Sequence, residues 1–176
     1  MVEEKIREWE KGSANPIPDS KYERYKEKLV ELSKEYPERN LMLFLLARAT
    51  GYRMQDIITL TVGEIKDALD KGYFEIQEQK QYKQCEVAKN PNRKKPKKRI
   101  VEIGPSLEKY LKQYLKGKKR SEFAFPSRKG KGNEALTQKS FSDKLKEVGK
   151  AIGLEHITGH SPRKTYATKI YTETNG

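Results

Sequence analysis

Apolar positions early in the chain recur every three or four residues, the spacing of one helix face. Tyr22, Tyr25, Leu29 and Leu32 predict such a helix, with Asp19 or Ser20 as its cap and Pro37 as its limit. The next segment, LMLFLLA (41–47), is apolar on every side and predicts a buried central helix beginning near Glu38. Gly51 interrupts it. Arg53 to Leu60 predicts a third helix with Ile57 and Leu60 turned inward, and Thr61 with Glu64 spells a capping box for a fourth, closed by Gly72. The period then changes to two. YFEIQEQK (73–80) alternates as a strand, RIVEI (99–103) reads as its partner, and the polar stretch between them predicts a long hairpin loop.

Helical spacing returns after Gly104-Pro105, with Leu107, Tyr110, Leu111, Tyr114 and Leu115 on one face. FAFPS (123–127) is a short extended piece. Thr137 caps a helix carrying Phe141, Leu145, Val148 and Ile152 that Gly153 ends, and Ser161-Pro162 opens the last helix. Ahead of all these, residues 1–11 read as a charged helical stub and GSANPIPDS (12–20) as a linker. The predicted class is α+β, mainly α-helical with a small antiparallel sheet in the middle of the chain.

Charge adds a function class to this outline. The 176 residues suffice for one domain with a core, but 36% are charged against 34% apolar, so the core must be economical. The net charge is +13, and a domain that basic ordinarily meets a polyanion, nucleic acid above all. An anionic membrane surface is the rival, yet no basic amphipathic helix with exposed Trp or Phe stands out. Residues 1–40 sum to −1, which leaves +14 for the rest and places the binding surface there. Two stretches concentrate it. Lys80 to Arg99 holds nine basic residues against Glu86, and Lys109 to Lys131 holds nine against Glu122. A solvated face is the plainer reading of such runs, but the first lies between two strands and suits a phosphate backbone.

Cys85 is the only cysteine, so an internal disulfide and a thiolate metal cluster are both excluded, and His156 and His160 are too few for most zinc sites. The start, MVEEKIREWE, is acidic and unlike a signal peptide, and the longest apolar run is too short to span a bilayer. A cytoplasmic location follows as the expectation.

Two local patterns suggest chemistry. In ARATGYRMQDIITL (47–60) a buried helix runs into Gly51 and Arg53 follows, with Asp56 three residues on and able to hold its guanidinium. A structural salt bridge at a helix junction is the alternative. In GHSPRKTYAT (159–168) His160 precedes a helix start and Arg163 lies in its first turn, where free N–H groups already favour an anion. A capping histidine with a surface arginine is the alternative there. Lys80, at the end of the first predicted strand, is the basic residue to single out in the hairpin.

Taken in order, these segments resemble the tyrosine recombinase (phage integrase) family. ATGYRMQDIITLTVGEI resembles its first arginine motif, FEIQEQK with RIVEIGP its lysine-bearing hairpin, and FAFPS and ITGHSPRKTYAT its later landmarks, ending in His-x-x-Arg. The likeness runs from about residue 18 to the C-terminus. It implies the catalytic-domain fold of the DNA breaking-rejoining enzymes for 18–176, with 1–17 a linker or remnant of an interdomain segment. It implies site-specific DNA recombination through a 3′-phosphotyrosine. Arg53 and Arg163 would clamp the scissile phosphate, His160 would donate a further hydrogen bond or move the tyrosine's proton, and Lys80, with Lys83 as the other register, would protonate the departing 5′ oxygen. Asp56 would orient Arg53. Lys83, Arg93, Lys94, Lys95, Lys97, Lys98, Arg99 and Lys164 would lie along DNA. No cofactor and no metal is implied. The implied partners are double-stranded DNA and other protomers of a synaptic tetramer, in a bacterial cytoplasm at the nucleoid.

The sequence departs from the family pattern in places. Lys164 stands where a histidine often follows the second arginine, and Ser161-Pro162 replaces an acidic-Leu pair. The nucleophilic tyrosine is expected well beyond Arg163, after which this chain has 13 residues. Tyr166 and Tyr171 are too close and read as packing residues. The expectation is therefore a catalytic domain cut before its nucleophile and inactive in cleavage by itself. A non-catalytic DNA-binding module of the same fold, or a basic RNA-binding protein with no need for Arg53, His160 and Arg163 to converge, are the other readings.

Overall fold

The computed structural model describes residues 13–87, 94, 96–129 and 132–175, with side chains as far as 170. The predicted stub at 1–11 lies outside them. The centre is α2 (Pro37–Thr50), which buries Met42, Leu43, Phe44, Leu46 and Ala47. Each large apolar side chain among them contributes about 1.5–3 kcal/mol by leaving water. Around it pack α1 (Asp19–Leu32), α3 (Met54–Ile58), α6 (Pro105–Leu115) and α8 (Ser161–Asn175). Helix α7 (Gln138–Ala151) closes the far side against α1 and α3. There Tyr25 donates to the Leu145 carbonyl at 2.7 Å, so its hydroxyl is satisfied although the ring is fully buried.

Local signals explain most boundaries. Pro37 opens α2 at a position where its missing N–H costs nothing, and Gly51 ends it at φ 63°. Thr61 and Glu64 form both halves of the capping box on α4 (Val62–Lys71), and Thr137 accepts from the Ser140 N–H to start α7. The start of α1 differs from expectation. Pro18 is the capping position and no side chain caps it, so Asp19 acts through its charge in the first turn. Tyr110 differs too. It is 53% exposed, and Leu111 and Leu115 carry the buried face of α6.

Among the described residues the sheet is one antiparallel pair, β1 (Tyr73–Ile76) with β2 (Arg99–Glu102), in the register Phe74 opposite Val101 and Ile76 opposite Arg99. The expected strand was longer. Alternation ends at Ile76, and from Gln79 the chain forms helix α5 (Gln79–Val87), which has no buried residue. Lys80 thus sits in the first turn of a surface helix, not on a strand. Gln, Lys and Glu are good helix formers, and with no apolar face to hold them in a sheet their intrinsic preference decides.

Residues 13–17, which the sequence assigns to a linker, pack on α8. Ile17 N–H donates to Thr165 Oγ1 at 2.9 Å, Lys164 Nζ to Ser13 Oγ at 3.0 Å, and Ala14 and Ile17 are buried.

Helix α8 meets the end of α2 at one tight point: Gly51 faces the Tyr166 ring, and a Cβ there would collide with it. Gly51→Ala combines that collision with a left-handed backbone that costs an L-residue ~1–2 kcal/mol. The variant should lose at least that much in urea unfolding at unchanged m. Combined with Tyr166→Ala, the loss should be less than additive. Strict additivity would show that the ring is not the obstacle.

Candidate phosphate-gripping site

Three arginines from three separate elements converge on one carboxylate. Arg53 precedes α3, Arg99 begins β2, and Arg163 lies in the first turn of α8. Glu78, in the short link between β1 and α5, faces all three. Its Oε2 lies 3.5 Å from Arg53 Nη1, and its Oε1 lies 3.4 Å from Arg99 Nη1 and 3.3 Å from Arg163 Nη2. The Glu78 side chain is 5% exposed, whereas the three guanidinium side chains are between 28% and 33% exposed. A carboxylate removed from water to that degree requires cations around it.

The surrounding groups fix the arginines to different degrees. Arg99 is held most firmly. Its Nη1 and Nη2 donate to the Gly51 and Thr50 carbonyls, both at 3.1 Å, which places a cation at the negative end of α2. Its guanidinium carbon also lies 5.2 Å from the Tyr52 ring centroid and 5.5 Å from that of Tyr166, within cation–π range. Tyr52 in turn donates to the Arg99 carbonyl at 2.6 Å and so ties the hairpin to the α2–α3 junction. Burial pushes the Tyr52 hydroxyl up to about 12, against the lowering pull of Arg99. Arg53 is held loosely. Its Nη1 is buried yet makes no hydrogen bond.

Electrostatics reflect the crowding. Burial pulls the Arg163 pKa below the usual guanidinium value; Glu78 opposes this, and Arg53 and Arg99 add to it. Asp56 is 4% exposed. Its Oδ1 accepts from the Gln79 N–H at 3.3 Å, pinning the start of α5, and its Oδ2 has no hydrogen-bond partner. Burial raises the Asp56 pKa. The Gln79 N–H lowers it, Glu78 raises it, and Arg53 and Arg163 lower it through charge.

The other described sequence-predicted residues lie on several elements outside this set of ion pairs. His160 is exposed and shares an open recess of about 490 Å³ with Arg163, Lys164 and the chain at Ser13 and Ala14. Lys80 and Lys83 are exposed on α5, and Lys94, Lys97 and Lys98, all exposed, line the approach to β2. Arg93 and Lys95 lie outside the described residues. Lys164 is half-buried and bonded to Ser13. Among the described residues no group of three or more His, Cys, Asp or Glu could hold a metal, and no helix is long and apolar enough to cross a membrane.

Glu78 was not anticipated, although a signal existed. The alternation of FEIQE puts Phe74, Ile76 and Glu78 on one face, and Phe74 and Ile76 are core-facing. An acid at the inward position of such a run demands buried cations.

The domain is mainly helical, with a cationic cluster at the junction of its central helix, hairpin and last helix. The family profile described as Phage integrase family matches residues 22–175, and the chain belongs to that family. It is 26% identical over 155 residues to tyrosine recombinase XerA of Pyrococcus furiosus, covering 88% of this chain and 48% of the relative. It is 27% identical over 137 residues to the probable integrase/recombinase YoeC of Bacillus subtilis, covering 78% and 65%. The fold is similar to that of XerH site-specific recombinase bound to its difH substrate in a pre-cleavage complex, with TM-score 0.63 and 22% identity, covering 92% of this chain and 44% of that one. The chain thus spans between about half and two thirds of the curated relatives it matches.

Asp56 makes a signed prediction about pH. Its raised pKa means that the folded protein holds this proton more tightly than the unfolded chain. The associated stability is present in full below the unfolded pKa and is lost as pH rises through the raised value. Urea melts of Asp56→Asn minus wild type, run from acid to neutral pH, should show the variant gaining ground as pH rises. A difference of the opposite slope would reverse the assignment of burial as the dominant cause.

Proposed function

We propose that this chain is the phosphate-gripping catalytic domain of a site-specific tyrosine recombinase, acting in integration or excision of DNA. The observation that carries the reading is that Arg53 and Arg163, far apart in sequence, direct their guanidiniums at the same carboxylate. Two planar forks at one anion position suit the two non-bridging oxygens of a phosphodiester, and they stabilise the charge that develops on a pentacoordinate phosphorane. His160, beside Arg163 in the recess, adds a donor or moves the proton of the attacking tyrosine. Lys80 on α5 serves as the acid: the P–O5′ bond breaks as the tyrosine oxygen bonds to phosphorus, and the ammonium proton goes to the departing 5′ oxygen. Asp56 fixes the start of α5 and acts on Arg53 and Arg163 through charge.

Residues 18–176 form this catalytic domain, and 1–17 lead into it. The partner is double-stranded DNA, whose phosphates Lys83, Lys94, Lys97, Lys98 and Lys164 contact, and Arg93 and Lys95 add charge to the same stretch of sequence. Other protomers join in a synaptic tetramer in a bacterial cytoplasm at the nucleoid. Tyr166 does not serve as nucleophile, since its ring is packed between Gly51 and Arg99.

Replacing Lys94, Lys95, Lys97 and Lys98 together should weaken duplex binding and flatten its salt dependence, by ~0.9 in log–log slope for each phosphate left without its cation. An unchanged slope would remove this segment from the interface. Arg53→Ala should change non-specific duplex affinity by no more than about twofold, because one phosphate contact among many is a small loss. In a chain that also carries the nucleophilic tyrosine, the same substitution should abolish cleavage of a suicide substrate while binding persists. Cleavage that survives would refute the assignment of Arg53.

A further inference from the structure

We infer that Glu78 is an internal stand-in for the scissile phosphate: its carboxylate occupies the anion position among Arg53, Arg99 and Arg163, and DNA must displace it. The inference rests on the reading of Arg53 and Arg163 as phosphate ligands. Three observations support it. A carboxylate offers two charged oxygens, as a phosphodiester does, and Glu78 divides its own between Arg53 on one side and Arg99 with Arg163 on the other. All three contacts are long, at 3.3–3.5 Å, whereas a committed charge-assisted hydrogen bond is ~2.7–2.9 Å. The Nη1 of Arg53, the most loosely held of the three, is buried with no hydrogen bond and is therefore available to a better-placed acceptor. The carboxylate is thus engaged but not locked, and the three arginines keep an excess of positive charge around it.

The location of Glu78 favours exchange. It sits in the two-residue link between β1 and α5, and α5 buries no side chain of its own. A small rotation in that link carries the carboxylate outward while Arg99 stays anchored to the end of α2. Arg99 is then a positioning residue. It keeps the anion position cationic whether carboxylate or phosphate fills it, and it prevents Arg53 and Arg163 from being the sole cations there. A phosphate bound in this way meets arginines already gathered, at the cost of expelling the carboxylate.

The test uses this chain and inorganic phosphate, read by the guanidinium Nε–Hε NMR signals of the arginines. Two variants divide the possibilities. Glu78→Gln keeps the shape and removes the charge. Glu78→Asp keeps the charge and withdraws it by one methylene, so that a long-range charge effect alone leaves its affinity unchanged. If the carboxylate leaves the anion position in no more than a tenth of wild-type molecules, both variants should bind phosphate ~10-fold tighter or more. Adding Arg163→Ala should abolish the gain in each. Wild-type or weaker affinity in both variants, with binding still dependent on Arg163, would overturn the stand-in and make Glu78 a scaffold, leaving the phosphate-site reading intact. The stand-in is equally overturned if only Glu78→Gln gains. Phosphate binding indifferent to Arg163 in every variant would sink the phosphate site itself, and the stand-in with it. Melting temperatures of the variants establish that each is folded, and Glu78→Asp alone decides the question if Glu78→Gln is not.

Discussion

A carboxylate almost sealed from water must be surrounded by cations, and around Glu78 this requirement draws distant parts of the chain together. Arg53 comes from the junction after the central helix, Arg99 from the hairpin and Arg163 from the last helix. Each arginine alone would be an expensive group to place so near the core. With one acid between them, they hold three elements at a common point. The hydrophobic core supplies most of the cohesion, but apolar contacts have little directional preference. The charged cluster adds directional contacts where the ends of α2, β1 and α8 meet, and Arg99 keeps its own hold on α2 whichever anion lies among the arginines.

Arg99 links this cluster to the backbone. Its two bonds to the last carbonyls of α2, and the flanking rings of Tyr52 and Tyr166, give it a purpose beyond charge. Expected only as one more basic residue along DNA, it also caps a helix and holds the hairpin in place. The exposed lysines of α5 and of the approach to β2 differ from it in kind, since charge and reach are all they contribute.

The helices were legible in the sequence where apolar spacing and capping chemistry agreed. Thr61 with Glu64, Thr137, Gly51 and Gly72 all mark boundaries at or beside the expected places, because each satisfies backbone groups that nothing else nearby can satisfy. Helix α5 was not legible. It buries nothing, so it has no periodic signature, and the alternation of the preceding strand continues in the sequence through Gln79 and Lys80. Tyr110 stands open to solvent because an aromatic ring at helical spacing need not be covered. At the site, the two arginine motifs were visible through their positions beside Gly51 and Ser161-Pro162. Their convergence on Glu78 was not, because pairing across such distances is a property of the tertiary fold.

The contact between Gly51 and Tyr166 works as a key in a slot. Tyr166 lies three residues after Arg163 on α8, so the ring and the guanidinium project from neighbouring positions on one helix. If α8 turned about its axis or slid by a fraction of a turn, the ring would ride up on the backbone of α2 and Arg163 would swing away from Arg53. The angular setting of the second arginine is therefore governed by the absence of a single methyl group at the far end of another helix.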